Sequence, residues 1–271
     1  MITLGYILPP ILVVLFFALT YLIAEKKKNY GYIDIVWGAS FVVNAWSTIL
    51  ISSLVKNAWP SIPAIVITIA VTIWGMRLSS YLFKRNWNRP EDYRYVKMRE
   101  NLVGRKYPRL LAFLKIFMSQ AFLSILVSTV IIVTLNGTIY ANDWLVYGFT
   151  IAGAVLWIIG FLFESVGDAQ LRRFIAKSEN RGKIMDQGLW AYTRHPNYFG
   201  ESLMWFGLSV VGLSVMYGYI GFVSYILITT LLLFISGVPL LEKAFKDRPG
   251  FAEYASRVSV FIPWFPKRKN K

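Results

Sequence analysis

Long apolar runs recur along this chain from one end to the other. They lie near residues 4–24, 32–55, 61–83, 110–135, 143–167, 199–216 and 219–240. A helix needs about 20 apolar residues to cross a bilayer, and a helix satisfies its own backbone polar groups there. Only 16% of the residues are charged, which is too few for the surface of a soluble protein. The sequence therefore predicts an all-α integral membrane protein with seven transmembrane helices.

Basic residues mark alternate connections between these runs. Of the 29 Lys and Arg residues, 26 fall in four segments: 25–31, 84–109, 168–198 and 241–271. The other three connections carry only Lys56. The positive-inside rule then predicts an N-terminus outside and a C-terminus in the cytoplasm. Since topology accounts for the net charge of +15, we expect membrane lipids as partners and no nucleic acid. The basic residues Lys267, Arg268, Lys269 and Lys271 are predicted to contact anionic lipids.

The chain contains no cysteine, and His195 is its single histidine. The absence of cysteine excludes disulfides, thiolate metal sites and a cysteine nucleophile. One histidine does not suit a zinc site, so no metal is expected. The glycine motifs of Rossmann units and P-loops do not occur in it either.

Ionisable residues gather at one predicted end of the spans. They are Asp34, Arg77, Glu164, Asp168, Glu201 and Glu242. Under the predicted topology all of them lie toward the cytoplasmic side. Such residues usually face the bundle interior and mark a functional path, although any one of them could instead reach the interface. Together they predict a polar cavity open to the cytoplasm.

Residues 188–201, GLWAYTRHPNYFGE, place the histidine beside a helix-starting proline. Pro196 suits a first helical turn, and the free amides beyond it favour an anion such as a pyrophosphate. Asn197 and Glu201 are four residues apart and can face one cavity. Asp168 and Arg172 have the same spacing. They either stabilise a helix end or grip the hydroxyl and phosphate groups of a ligand.

GLWAYTRHPNYFGE, an apolar helix and LLEKAFKDRPGFAEYASRVSVFIP together resemble the C-terminal half of steroid 5-alpha-reductases and sterol reductases. That resemblance begins at about residue 160. YIDIVWG, WGMRLSSYL, RNWNRPEDYRY, FESVGDAQLRRF and NRGKIMDQGLW resemble the bacterial branch DUF1295, and this similarity extends over nearly the whole chain.

The resemblance implies an NADPH-dependent membrane enzyme similar to 3-oxo-5-alpha-steroid 4-dehydrogenase. It would reduce a C=C bond conjugated to a carbonyl in a steroid-like, isoprenoid or fatty substrate. The expected setting is a bacterial inner membrane, with an active site open to the cytoplasm. The implied cofactor contacts are Asp168, Arg172, Arg194, His195, Asn197, Tyr198, Glu201, Glu242 and Arg257. Residues 1–271 would form one membrane domain, with 1–135 on the substrate side and 143–271 on the cofactor side.

Steroid reductases use a Gln-Glu pair in the second helix and a tyrosine in the third. The pair is missing here. Asp34 is the only acid in the second helix, and Tyr81 is the best-placed tyrosine in the third. We therefore predict that Asp34 and Tyr81 are catalytic and stabilise the developing enolate.

Three other interpretations compete with a reductase. Isoprenylcysteine and phospholipid methyltransferases share a similar RHPxYxG stretch but bind S-adenosylmethionine; Asn197 and Glu201 favour the reductase form. A non-enzymatic lipid-binding scaffold would leave the acids of the spans unexplained. A transporter would place such acids near the membrane midplane, whereas here they lie toward one face. The sequence does not indicate the oligomeric state.

Overall fold

The structure is a computed structural model and describes residues 3–267. Within this range the chain is helical, and extended backbone pairs only at isolated bridges. The all-α prediction is confirmed. The α-helices are α1 Leu4–Lys27, α2 Tyr32–Lys56, α3 Ile62–Asn86, α4 Tyr93–Glu100, α5 Pro108–Ala112, α6 Ser119–Val127, α7 Thr129–Asn136, α8 Asp143–Ala176, α9 Pro196–Gly212, α10 Phe222–Thr230, α11 Val238–Phe245 and α12 Phe251–Arg257. Segments of π-helix, Phe113–Met118 and Leu231–Ile235, join α5 to α6 and follow α10.

Six stretches in residues 3–267 are long and apolar enough to cross a membrane. They are Leu4–Lys27, Tyr32–Lys56, Ile62–Asn86, Pro108–Val127, Asp143–Ala176 and Gly218–Phe245. These stretches make the chain an integral membrane protein. The predicted run near 199–216 lies largely in α9, which has 17 residues and is shorter than the about 20 that a crossing needs. Of the basic tail, Lys267 is within the described range, and Arg268, Lys269 and Lys271 lie outside it.

The predicted fourth run, 110–135, is divided into shorter helices. Ser128 separates α6 from α7 with φ −77° and ψ 4°, and its Oγ donates to the carbonyl of Ser124 at 2.8 Å. A side chain that bonds back to the preceding turn commonly bends a helix. The long apolar run therefore does not form one straight helix.

The chain divides into two compact units. The first unit contains the chain up to Thr150 together with Val211–Ser224, and the second contains Ile151–Val210 and the chain from Tyr225 onward. In the first unit α2 packs against both α1 and α3. Gly38 and Gly75 face each other there, since a Cβ on either would lie within 2.7 Å of the other's carbonyl oxygen.

The second unit is organised by close contact between α8 and α9. Gly153 and Gly160 of α8 oppose Gly207 and Gly200 of α9, and a Cβ on Gly160, Gly200 or Gly207 would lie 2.5–2.6 Å from backbone of the facing helix. Small residues let membrane helices approach in this way. We call these four glycines the glycine seam. Two turns further along α8, Gly167 lies against the start of α9, where the predicted site residues begin.

Candidate functional site

The turn that leads into α9 is held by the chain's C-terminal segment. The backbone N–H of Arg194 donates to the carbonyl of Ser259 at 2.8 Å, and Thr193 Oγ1 donates to the carbonyl of Phe261 at 2.8 Å. Thr193 and Ser259 form a parallel bridge. These bonds fix the backbone of Arg194 and His195 immediately before the helix begins at Pro196.

Glu242 of α11 binds both residues of that turn. Its Oε1 accepts from Arg194 Nε at 3.0 Å and lies 2.9 Å from His195 Nε2. The Arg194 side chain is only 10% exposed, and one of its terminal nitrogens, Nη1, donates to the carbonyl of Ala255 at 2.7 Å. Arg194 is therefore engaged by protein groups. It was one of the predicted cofactor contacts, and its structural partners are Glu242 and the backbone near Ala255.

The hydrogen bonds of His195 indicate its tautomer. Burial lowers the pKa of His195, although the bond to Glu242 opposes this shift. The ring is therefore neutral at pH 7, and the carboxylate requires the proton on Nε2. Nδ1 is then an acceptor, and it is buried without a hydrogen-bond partner among residues 3–267. The ring of Tyr198 stacks on the imidazole, with an interplanar angle of 10°.

Asn197 provides a second buried acceptor. Its Nδ2 donates to Asp168 Oδ1 at 3.3 Å, which orients the amide and leaves Oδ1 as the acceptor. Within the described part of the chain, this Oδ1 is also buried without a partner. Asp168 therefore contacts the start of α9, and Gly167 allows this contact because the two helices meet beside that glycine.

His195 and Asn197 line the same pocket, which has a volume of about 130 Å³. Apolar side chains form much of its wall, and three cationic residues also line it. The lining includes Phe174, Ile175, Leu241, Phe245, Lys183, Arg194 and Arg248. The site thus combines a mostly apolar wall with two buried acceptors and positive charge. We call it the histidine pocket.

A second cavity of about 410 Å³ shares Phe174 and Met185 with the histidine pocket. Arg173 lines it from α8 and Lys177 from just beyond the end of that helix, with Gln187 and Gly188 among the residues of the facing loop. Gly188 has φ +61°, and a Cβ there would lie 2.5 Å from the Gln170 side chain. This position therefore requires glycine. We call this second cavity the α8 cavity.

The first unit contains the predicted catalytic residues. Asp34 accepts from Arg94 Nη2 at 3.1 Å and also from the phenol of Tyr95. Burial and the Asp34 carboxylate raise the pKa of Tyr95 far above its usual range, so the phenol stays protonated. Tyr81 is half-buried and lies under the guanidinium of Arg85, 5.6 Å from its ring centroid. The phenol that donates to Asp34 thus belongs to Tyr95 of α4.

Other predicted cofactor residues lie outside the two pockets' linings. Arg257 belongs to α12 and pairs with Glu253 at 3.7 Å. Arg172 is exposed on α8, and Glu201 is half-buried on α9. Trp190 was not identified from the sequence as a residue of the site. Its Nε1 donates to the carbonyl of Gly167 at 3.1 Å, and its own carbonyl accepts from the Tyr254 hydroxyl at 2.7 Å. Among residues 3–267 there is no group of three or more His, Cys, Asp or Glu that could hold a metal ion.

Comparison with known proteins gives a family and partial relatives. The family model described as a protein of unknown function, DUF1295, matches residues 20–258. The 3-oxo-5-alpha-steroid 4-dehydrogenase 1 of Bos taurus is 36% identical over 77 residues, which are 28% of this chain and 30% of that protein. The protein of the same name from Mus musculus is 32% identical over 77 residues, with the same shares.

An uncharacterized protein of Schizosaccharomyces pombe is 23% identical over 274 residues, or 85% of this chain and 76% of its own length. The chain thus aligns with only about 30% of the length of the named steroid dehydrogenases. No solved structure matches. Because the family model covers most of the sequence, the chain belongs to the DUF1295 family and has homologues in the steroid 5-alpha-reductase family.

Proposed function

We propose that this protein is an NADPH-dependent membrane oxidoreductase that reduces a C=C bond conjugated to a carbonyl in a lipophilic substrate. The observation that carries the proposal is the pair of buried acceptors, His195 Nδ1 and Asn197 Oδ1, in the histidine pocket. Buried polar atoms are normally hydrogen-bonded, so this pair calls for a ligand that donates. The homologues named 3-oxo-5-alpha-steroid 4-dehydrogenase suggest the reaction class.

A nicotinamide dinucleotide fits this donor requirement. Its carboxamide and its ribose hydroxyls are hydrogen-bond donors, and a pocket of 130 Å³ has room for one such group rather than for the whole molecule. The α8 cavity is about 410 Å³, within the range of about 300–1,000 Å³ for small-molecule sites. Its Arg173 and Lys177 are suited to phosphate groups. Arg194 would act by holding Glu242 and the turn before α9.

When bound, NADPH supplies the hydride, and the protein supplies position and charge. Glu242 holds His195 in the tautomer whose Nδ1 accepts, and Asp168 orients the amide of Asn197. The apolar wall of the histidine pocket excludes water. For the proton, the proposal keeps Asp34 and Tyr81 as predicted and adds Tyr95, whose phenol donates to Asp34.

The proposal also includes the membrane arrangement expected from the sequence. Seven spans, with α9 as a crossing, would place the N-terminus outside and the C-terminus in the cytoplasm of a bacterial inner membrane. The active site would open to the cytoplasm, with 1–135 on the substrate side and 143–271 on the cofactor side. Because the chain lacks cysteine, single cysteines at Asn57 and Lys183 can be labelled with an impermeant maleimide. In intact cells the reagent should label the cysteine at position 57, which is predicted to lie outside, and not the one at position 183, which is predicted to be cytoplasmic. Equal labelling of the two would contradict this topology.

The direct test is thermal unfolding of the purified protein with NADPH, NADH, S-adenosylmethionine or S-adenosylhomocysteine. A ligand at about 100 times its Kd adds about 2.7 kcal/mol of apparent stability. NADPH should stabilise the wild type, and the stabilisation should be lost in Asn197→Ala and His195→Ala. Arg181→Gln, an exposed change, is the control. Stabilisation by S-adenosylmethionine and S-adenosylhomocysteine, without stabilisation by either nicotinamide nucleotide, would make the protein a methyltransferase and refute the proposal.

The α8 cavity provides a separate test of cofactor choice. If Arg173 and Lys177 bind the additional phosphate of NADPH, Arg173→Gln with Lys177→Gln should weaken NADPH about tenfold or more and leave NADH nearly unchanged. Isothermal titration calorimetry with both nucleotides measures the ratio of the Kd for NADH to the Kd for NADPH. An equal loss for NADPH and NADH would show that these cations do not select the phosphate.

A further inference from the structure

The first unit contains a polar cavity that the proposed reduction does not use. It has a volume of about 430 Å³ and lies between the turn joining α1 to α2 and the end of α3. It is lined by Asn29, Gly31, Tyr32, Ile35, Arg85, Asn86, Arg89, Pro90 and Asp92. More than half of these residues are charged or polar, so the cavity is suited to a polar ligand.

The acceptors in this lining are already engaged. Asn29 Oδ1 accepts from the Gly31 N–H at 2.9 Å, and Asn86 Oδ1 accepts from Arg85 Nε at 2.9 Å. Both oxygens of Asp92 accept from Arg94, each at 3.1 Å. Burial alone would raise the pKa of Asp92, but these bonds outweigh it and hold the pKa below its usual value. Asp92 is therefore ionised and paired with Arg94, which also contacts Asp34.

The donors in this lining, in contrast, remain available. Among residues 3–267, the guanidinium of Arg89 forms no hydrogen bond or ion pair. In the same range, Arg85 donates through Nε to Asn86, and its two terminal nitrogens form no hydrogen bond to a carboxylate or carbonyl. The lining carries the two guanidinium groups of Arg85 and Arg89 and the single carboxylate of Asp92, so the cavity has net positive charge. Guanidinium groups match the geometry of phosphate and bind it with two hydrogen bonds.

The frame of the cavity is held in place without a ligand. Glu91 accepts from the Tyr30 N–H at 2.7 Å and from Arg99, and Asn29 Nδ2 donates to the carbonyl of Arg89 at 3.4 Å. The cavity lies where two candidate spans, Tyr32–Lys56 and Ile62–Asn86, begin and end. Headgroup phosphates lie at this level of a bilayer, and basic pockets between helices there recognise anionic headgroups.

We infer that this cavity is a binding site for a phosphate group, carried by an anionic phospholipid or by a soluble phosphate compound. The site belongs to the first unit and does not depend on the proposed reductase activity. Arg85 and Arg89 provide the charge, and Asn86 Nδ2 provides a further donor.

The test compares the full-length wild type, the double variant Arg85→Gln/Arg89→Gln and the control Lys97→Gln/Arg105→Gln, which removes two exposed charges from the same basic segment. Thermal unfolding is followed with inorganic phosphate, with short-chain phosphatidylglycerol and with short-chain phosphatidylcholine, always without nucleotide. The wild type and the control should be stabilised by a phosphate-bearing anion, and the double variant should bind it about tenfold or more weakly.

The ligands distinguish the two sources of phosphate. Stabilisation by inorganic phosphate indicates a soluble compound, whereas stabilisation by phosphatidylglycerol and not by phosphatidylcholine or phosphate indicates a headgroup site. No stabilisation by either anion, or the same response in the double variant, would refute the site. NADPH is added last. If the double variant loses protection by NADPH as well as by phosphate, the arginines serve the nucleotide and the inference of a separate site is wrong.

Discussion

Each unit of this protein contains an ionic network built around a carboxylate, but only one of the two networks leaves acceptors without donors. In the first unit Asp34 receives bonds from Arg94 and Tyr95. In the second unit Glu242 engages Arg194 and His195, and the far nitrogen of that histidine remains without a partner among the described residues. A satisfied network fixes a segment of the fold, whereas an incomplete buried one is stabilised further by a donating ligand. The two networks should therefore respond differently to the same kind of substitution.

The largest effect is expected from Glu242→Ala. This change leaves the Arg194 guanidinium and the His195 ring without their shared acceptor, and removing one partner of a buried pair costs about 3 kcal/mol. Both the free energy of unfolding and protection by NADPH should fall, as measured by thermal unfolding with and without nucleotide. Glu100→Ala is the stability control, since Glu100 is exposed and outside both pockets, and an exposed charge contributes less than about 1 kcal/mol. Equal losses in the two variants would contradict the network's importance.

Gly200→Ala should have the next largest effect, because it disturbs the helix pair that positions the second network. A methyl group there would lie 2.5 Å from the backbone of α8, and overpacking of this kind costs about 2 kcal/mol. Gly148→Ala, in the facing helix α8, is the control, since a Cβ at Gly148 meets nothing within 4 Å. It should be neutral or stabilising. A Gly200→Ala variant as stable as Gly148→Ala would show that the seam is not tight.

Tyr95→Phe tests the satisfied network. The change removes one donor from Asp34 and should lower the free energy of unfolding by about 1.5 kcal/mol. Turnover should fall as well if Tyr95 supports the proton-donating group. NADPH affinity should stay at the wild-type value, in contrast to Glu242→Ala. Tyr93→Phe, at an exposed position, is the control, and a Tyr95→Phe variant with weakened NADPH binding would remove the distinction between the networks.

The smallest effect concerns pH. Since burial lowers the pKa of His195, the unfolded chain takes up a proton below about pH 6.5 before the folded chain does. Stability from this residue is complete above that pH and is lost as the pH falls. The free energy of unfolding should be lower at about pH 5.5 than at about pH 7. His195→Gln should reduce this dependence of the free energy of unfolding on pH. An unchanged dependence would show that other groups cause it. Because there is one histidine, its NMR titration is unambiguous.

The sequence predicted the elements better than their contacts. The first three apolar runs became α1, α2 and α3, and Pro196 begins α9 as expected. Asp168 and Asn197 were each expected in the site, but their contact spans 29 residues and did not follow from either four-residue spacing. The apolar pattern also underestimated the length of α8, which continues to Ala176, beyond the predicted end at residue 167. Polar residues can continue a helix past an apolar run.

Contacts between distant segments were outside the reach of this reasoning. Glu242 is 47 residues from His195, and no periodicity relates them. Tyr95 reaches Asp34 across 61 residues because the segment after α3 folds back toward the start of α2. The resemblance to steroid reductases pointed instead to a tyrosine of the third helix, Tyr81. The break at Ser128 depends on a single side-chain bond that hydrophobicity does not reveal.

The glycine seam has a consequence for how the second unit assembles. Its contacts pair Gly153 with Gly207 and Gly160 with Gly200, so the separation is seven residues on both antiparallel helices. Sliding one helix by a single turn would bring a side chain against the opposite backbone at each position. During insertion into the bilayer, a slip of one turn away from this alignment is therefore unfavourable. That alignment brings Asp168 to Asn197 before any ligand is present.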